Sequence, residues 1–352
     1  MKRILVLFAM CMLIMAPVSA ATNISKISVG KKYNQYDWIQ GVADSDEGLF
    51  VLDGTKIKRI EGKSSEVYYD IQDLQLLLPK SLQDKAILST FLMGQMDYYN
   101  GALYVSGLLF KDTAHQKKKI DNQYIAGETY SVVFMVKDKK ASLIHASLSF
   151  YNKVHQFNDF HETPSGMRED VFYIGGQNVV AFGKYVNKPR FTFSDEGDLV
   201  YTAQRYLGNM QSAVDVFIYK SKAEKIYTLR TYEDEHVIAT LNEGILTLYY
   251  DTTSWGDMYN VRVYDIESDY EDQYQLPDSF VPKKPKYIDG QMYFLNDQGI
   301  FTVTQDGEQF LFDWFLMAEA TPVKAYITDW DYDGEFVYLT DFEQRIVYKL
   351  KP

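Results

Sequence analysis

One short pattern recurs along the chain: an acidic residue or Asn followed by Gly, then four or so aliphatic, β-branched or aromatic residues. Its clearest copy lies within 325–350, AYITDWDYDGEFVYLTDFEQRIVYKL. There Asp333-Gly334 supplies the positive φ that a tight hairpin demands. Phe336-Val337-Tyr338-Leu339 and then Arg345 to Leu350 have the composition of packed strands. The glycines of six such copies stand at 48, 101, 197, 244, 290 and 334, at intervals of 53, 96, 47, 46 and 44. The long interval is about two periods. A period of this size with four strands per unit is that of a β-propeller blade. The reading is an all-β propeller, one domain over residues 21–352.

The first unit shows the strand order: Trp38 to Ala43, the Gly48 turn, Leu49 to Leu52, Lys56 to Ile60, and Glu66 to Ile71. We letter these A to D. The last unit has A, B and C but no D, whereas Asn23 to Val29 is a strand with no unit of its own. Pairing that strand beside Arg345 to Leu350 closes the ring and removes an open edge. Inside the double interval, Phe150 to Phe193 holds strands at Val171 to Ile174 and Val179 to Tyr185, one short of a blade. Seven blades are weighed slightly ahead of six with a large insertion. A leucine run in Asp70 to Lys85, broken by Pro79, reads as a short helix.

The run Asp333 to Asp341 followed by Arg345-Ile346 resembles the NHL-type blade, and Gly48 to Ile60 is similar to it. The last unit carries one residue more than that pattern between its Gly and its second Asp, and the middle units match in turn and strand only. The resemblance implies a propeller and assigns no functional residue, because propellers serve many purposes.

Residues 1–20 read as a secretion signal: basic Lys2-Arg3, apolar Ile4 to Met15, and small Val18-Ser19-Ala20 before a cut near Ala20. The apolar run is too short to span a bilayer. Phe8-Ala9-Met10 before Cys11 is a poor lipid-attachment sequence, which argues against a lipoprotein. Cleavage removes the one cysteine and two cations, taking 352 residues to 332 and the net charge from −12 to −14. An exported chain without cysteine relies on its core rather than on disulfides. Its acidity argues against nucleic acid or anionic lipid as partner, and no later segment is built for membrane insertion. The 29 tyrosines read chiefly as strand filling.

In an up-and-down blade, A–B and C–D turns share one face, while B–C and D–A connections share the other. Here the A–B and C–D turns are short, as in Lys137 to Lys140 and Lys220 to Lys222. The connections expected on the opposite face are long: Phe110 to Tyr130, Gln204 to Ala213, Asp251 to Tyr259, Arg230 to Glu235 and Asp313 to Pro322. Long loops are where function concentrates. They hold Tyr124, Arg205, Tyr206, Tyr232, Trp255, Tyr259 and Trp314, aromatics and an arginine suited to stacking on a sugar or gripping a peptide.

Catalytic motifs are absent. Asp329, Asp331 and Asp333 match the start of a calcium loop, but Val337 and Thr340 stand where its later ligands belong. No cofactor is therefore expected, with calcium the one candidate, and strand alternation would set the three Asp on a solvated side. His161-Glu162 begins like a zinc-protease helix but lacks the second His and meets Pro164. The leading expectation is a secreted or periplasmic propeller that binds a glycan, peptide or envelope protein on its long-loop face without catalysis. The alternatives are a carbohydrate-active hydrolase or lyase with its site at the axial opening of that face, and a structural subunit of an envelope complex. Carboxylates or His on the innermost strands near the channel mouth would mark the enzyme.

Overall fold

The computed structural model describes residues 24–30, 39–78, 87–112, 119–120, 123–153, 171–174, 177–180, 188–208, 211–231, 237–250, 260–276, 284–288, 291–296, 298–306, 309–317, 327–341 and 344–352. Its secondary structure is strand apart from a 3-10 turn, Ile71–Leu77, within the stretch expected to be helical. Blade 1 comprises Ile39–Ala43, Leu49–Asp53, Lys56–Glu61 and Ser64–Asp70. Blade 2 is Ile87–Tyr99, Ala102–Asp112, Gln123–Lys137 and Lys140–Lys153. Blade 3 is Phe191–Phe193, Leu199–Gly208, Gln211–Tyr219 and Ala223–Thr231. Blade 4 follows with Val237–Asn242, Ile245–Tyr250, Val261–Asp265 and Tyr270–Tyr274. Blade 5 is Lys286–Ile288, Gln291–Asn296, Gly299–Asp306 and Gln309–Met317. Blade 6 is Ile327–Tyr332, Val337–Asp341 and Ile346–Leu350, with Ile24–Ser28 as its outer strand.

The turn chemistry read from the repeats sets the inner hairpins. Gly334 (φ 91°) sits in the left-handed region that a side chain resists. The neighbouring Asp333 carboxylate accepts from the Glu335 and Phe336 amides at 2.8 and 2.6 Å, pinning the same turn.

Six apolar clusters, one per blade interface, close the ring. Phe50, Leu52 and Tyr68 of blade 1 pack on Phe91, Met96 and Phe134 of blade 2. Val133 of blade 2 joins Phe191, Phe193 and Tyr201 of blade 3, and Val214 and Leu229 meet Val237 and Leu248 of blade 4. Ile238 and Tyr249 meet Phe294 and Phe301 of blade 5; Leu295 and Leu316 meet Trp330 and Leu339 of blade 6. Tyr338 and Val347 return to Val42 and Val51 of blade 1.

The balance between six blades and seven falls at six. Blades 2 and 3 touch directly: Gln95 Oε1 accepts from the Phe191 amide at 3.0 Å, and Ser106 Oγ donates to the Pro189 carbonyl at 2.6 Å. No blade fits between them. Of the strands counted toward a seventh, Val171–Ile174 pairs instead with Gln177–Val180 in a separate two-stranded hairpin before blade 3, and most of Val179 to Tyr185 lies outside the described residues.

Closure by the first strand is as expected. Ile24 pairs with Leu350 and Ser28 with Ile346, antiparallel. Val29 is fully buried at this seam, and its carbonyl accepts from Lys58 Nζ of blade 1 at 3.2 Å. Asp53, also fully buried, holds Lys58 at 2.5 Å and takes a two-pronged bond from Arg345 at 2.7 and 2.6 Å, tying blade 1 to blade 6. Deleting residues 21–30 removes Val29 and the half-buried Ile24 and Ile27 from the seam. Each buried aliphatic contributes about 1.5–3 kcal/mol, so the melting temperature by circular dichroism should fall by about 5 °C or more. An unchanged melting temperature would show that the strand does not close the ring.

Candidate functional site

Two polar constellations stand out among the described residues, one on the propeller axis and one on the outer strands of blade 3. The axial one is built on Lys286, the first residue of the inner strand of blade 5, and its ammonium is buried. Nζ donates to the Val42 carbonyl of blade 1 at 3.2 Å, to the Met96 carbonyl of blade 2 and to Asp97 Oδ1 at 2.8 Å, and lies 3.9 Å from Asp331 Oδ1 of blade 6. Blades 5 and 2 are opposite in a six-bladed ring, so this side chain spans the axis. Burial alone would lower its pKa, but Asp331, Asp97 and Asp329 outweigh that and raise it.

The inner carboxylates that would have marked an enzyme are therefore present, but committed. Asp329 and Asp331 are 3% and 7% exposed. Asp329 Oδ2 accepts from the Val42 amide at 3.1 Å and Asp331 Oδ2 from the Asp44 amide at 2.6 Å. A general acid must reach its substrate's proton, and these two are sealed behind backbone donors. Burial raises both pKa values, and burial plus the nearby Asp333 pushes Asp44 up to about 6.

The expected solvated side for the three Asp is corrected. Asp329 and Asp331 face the axis, because the inner strand has no solvated side, and only Asp333 is exposed. Its Oδ2 accepts from the Tyr338 hydroxyl at 2.8 Å. Protein donors thus already engage oxygens of all three carboxylates considered for calcium. Replacing Lys286 by Met strands Asp97, Asp329 and Asp331 without their shared cation. Breaking a buried pair in this way costs about 3–5 kcal/mol, to be read as a lowered urea midpoint; a midpoint within error of the parent would rule out this role.

The second constellation follows from strand register. Arg205, Ala213 and Arg230 lie opposite one another across three neighbouring strands of blade 3, and Ala203, Asp215 and Thr228 form the adjacent row on the same face. The methyl of Ala213 leaves space between two arginines. The result is a cleft of about 530 Å³ lined by Arg205, Ala213, Lys225, Thr228, Arg230 and, from blade 4, Arg262. Asp215 sits at its base: Arg205 Nε donates to Oδ2 at 2.5 Å, Thr228 Oγ1 to Oδ1 at 2.6 Å, and Lys225 stands 3.7 Å away. Burial opposes the Asp215 carboxylate, but Arg205, Thr228 and Lys225 together hold its pKa below the ordinary value. Next to it, His145 of blade 2 packs on Tyr201 and Phe217 with centroids 5.2 and 5.0 Å apart. Its Nε2 lies 2.8 Å from Ser147 Oγ and its Nδ1 3.3 Å from the Tyr201 hydroxyl.

Of the residues picked from sequence, the structure brings Arg205 to this cleft. Arg205 and Tyr206 are in strand Leu199–Gly208, Tyr124 in Gln123–Lys137 and Trp314 in Gln309–Met317, so the loops assigned there are corrected to strands. Polar residues in these stretches interrupt the alternation that identifies a strand. Trp314 is half-buried and meets Phe301 edge-on at 5.7 Å, inside blade 5. Tyr232, Trp255 and Tyr259 lie outside the described residues. Lys286, Asp97, Asp215, Lys225, Arg230 and Arg262 were not singled out. A lysine opening the inner strand Lys286-Tyr287-Ile288 was the available signal; the basic row needs register, which sequence does not supply.

No protein-family model matches the chain, and no curated protein matches it in sequence. Solved structures align with it. A protein of unknown function from Dyadobacter fermentans DSM 18053, 9% identical, aligns over 95% of this chain and 99% of that one at a TM-score of 0.50. The AfRom2 CNH domain, 8% identical, aligns over 92% and 87% at 0.38. An oligogalacturonate lyase in complex with manganese, 10% identical, aligns over 87% and 74% at 0.26. At such identity the first likeness shows the fold alone, and the other two say nothing about this chain. The propeller stands; the NHL type of blade has no family match behind it.

The half-buried His145 gives a pH test. Desolvation lowers the His145 pKa from 6.5 to about 4, against the opposing pull of Asp215. The unfolded chain therefore takes up this proton first as pH falls, and stability held above pH 6.5 is lost toward pH 4. His145→Gln should flatten the denaturation-midpoint profile across that window, by up to about 3 kcal/mol at the acid end. Parallel profiles for parent and variant would place the histidine in water.

Proposed function

We propose that this chain is an exported propeller, secreted or periplasmic after cleavage near Ala20, that binds a carbohydrate, peptide or protein partner without catalysis. One observation carries the reading: Arg205 and Arg230, which line the cleft, stand toward the B–C and D–A ends of blade 3, the face chosen from the sequence. The sealing of Asp329 and Asp331 by backbone donors supports binding over axial catalysis. Tyr124, Tyr206, Tyr232, Trp255 and Tyr259 are assigned to the same face as contact residues.

The test takes a ligand from a glycan or peptide array and titrates four variants by calorimetry. Trp255→Ala and Arg205→Ala should each weaken binding by about 2 kcal/mol or more, the usual cost at an interface centre. Lys139→Ala and Lys222→Ala, on C–D turns of the opposite face, should leave it unchanged. Arg205→Ala also loses its bond to Asp215, so titration belongs well below its melting temperature. Loss confined to the two Lys variants would mean that the working face is the other one.

A further inference from the structure

The Arg205 cleft holds more positive charge than its own carboxylates neutralise. Four cations line it, Arg205, Lys225, Arg230 and Arg262. Asp215 engages Arg205 and Lys225, and Glu271 pairs with Arg262 at 3.0 Å. Arg230 is exposed and makes no ion pair among the described residues. Arg262 donates from Nη1 to the Tyr227 hydroxyl at 3.2 Å, while its buried Nε has no hydrogen-bond partner among the described residues. An unpaired buried donor is costly and calls for an acceptor. All of this sits on a chain of net charge −12, where unneutralised cations are not the background.

We propose that the cleft binds an oxyanion, a carboxylate, phosphate or sulfate carried on a body the size of one sugar, with Arg230 and Arg262 as its charge partners. This deepens the binding function above and rests on it. A space of about 530 Å³ suits one small molecule. Guanidinium groups present paired donors that match the oxygens of these anions, and such charge-assisted bonds are the strong ones. Arg205, already held by Asp215, keeps that carboxylate from repelling the guest.

Calorimetry of the full chain with D-glucuronate, D-glucose 6-phosphate and D-glucose tests the proposal. The two anionic sugars should bind with Kd below about 1 mM, weakening as salt rises, and glucose should not. A preference between glucuronate and the phosphate ester identifies which anion the cleft favours. Arg230→Gln should cost about tenfold or more in affinity, with Arg230→Lys recovering part of it. Arg230 is exposed, so its variants keep the test clean where Arg262→Gln, which also breaks the Tyr227 and Glu271 contacts, disturbs folding. Equal binding of glucose, undiminished binding by Arg230→Gln, or no binding by any of the three overturns the proposal. An array ligand that still loses affinity on Arg205→Ala would then leave the binding function standing; failure of both sinks both.

Discussion

An ammonium group withdrawn from water must be compensated by geometry, and here one such group organises the axis. Lys286, on blade 5, meets that demand only if blades 1, 2 and 6 are in place with it, since its partners come from those three. The compensation costs the carboxylates their access to solvent, and the attraction must outweigh the desolvation of every partner. Around this point the inner strands are stitched by polar bonds. Gln40 links blades 1 and 2, Thr192 links 3 and 4, Tyr287 and Asn242 link 4 and 5, and Trp330 Nε1 reaches the Lys284 carbonyl between 5 and 6. Apolar clusters fill the wedges outside these stitches. The inner bonds fix how the blades face one another, and the outer clusters supply most of the burial.

Blade 3 shows why the candidate site lies where it does. Near the core its face toward blade 2 carries Tyr201 and Phe217, stacked at 5.1 Å. One row further along, the same face turns to Asp215 and Thr228, and a second row on to Arg205 and Arg230. Arg205 and Arg230 are exposed there. Two charge groupings thus stand apart: Lys286 with its carboxylates sealed at the axis, and the arginines of blade 3 on its outer strands.

Local chemistry made the architecture legible. Asp333-Gly334 and its counterparts announced each inner hairpin, and the missing fourth strand after Leu350 pointed to Asn23–Val29. What failed was anything that depends on neighbours distant in sequence. The blade count misjudged the 150–193 stretch because two short strands look alike whether they begin a blade or form a hairpin beside one; the contact of Ser106 with Pro189 decides between them. Arg205 was reachable by reading, as an arginine among aromatics. Arg230 and Arg262 were not, because their place beside it is a matter of cross-strand register and blade packing. Asp329 and Asp331 had the right residues and the wrong environment, since alternation says which residues share a side but not what that side faces.

The seam in blade 6 sets an order of events. The outer strand of that blade is the first described segment to leave the ribosome, and its partner is the last. Blades 1 to 5 can assemble as they are synthesised, each on its predecessor. The sixth waits, and until it forms, Asp53 lacks Arg345 and the first strand has no ladder partner. Completion of the circle is thereby the last step: without its final strand the chain leaves its first strand without its ladder partner.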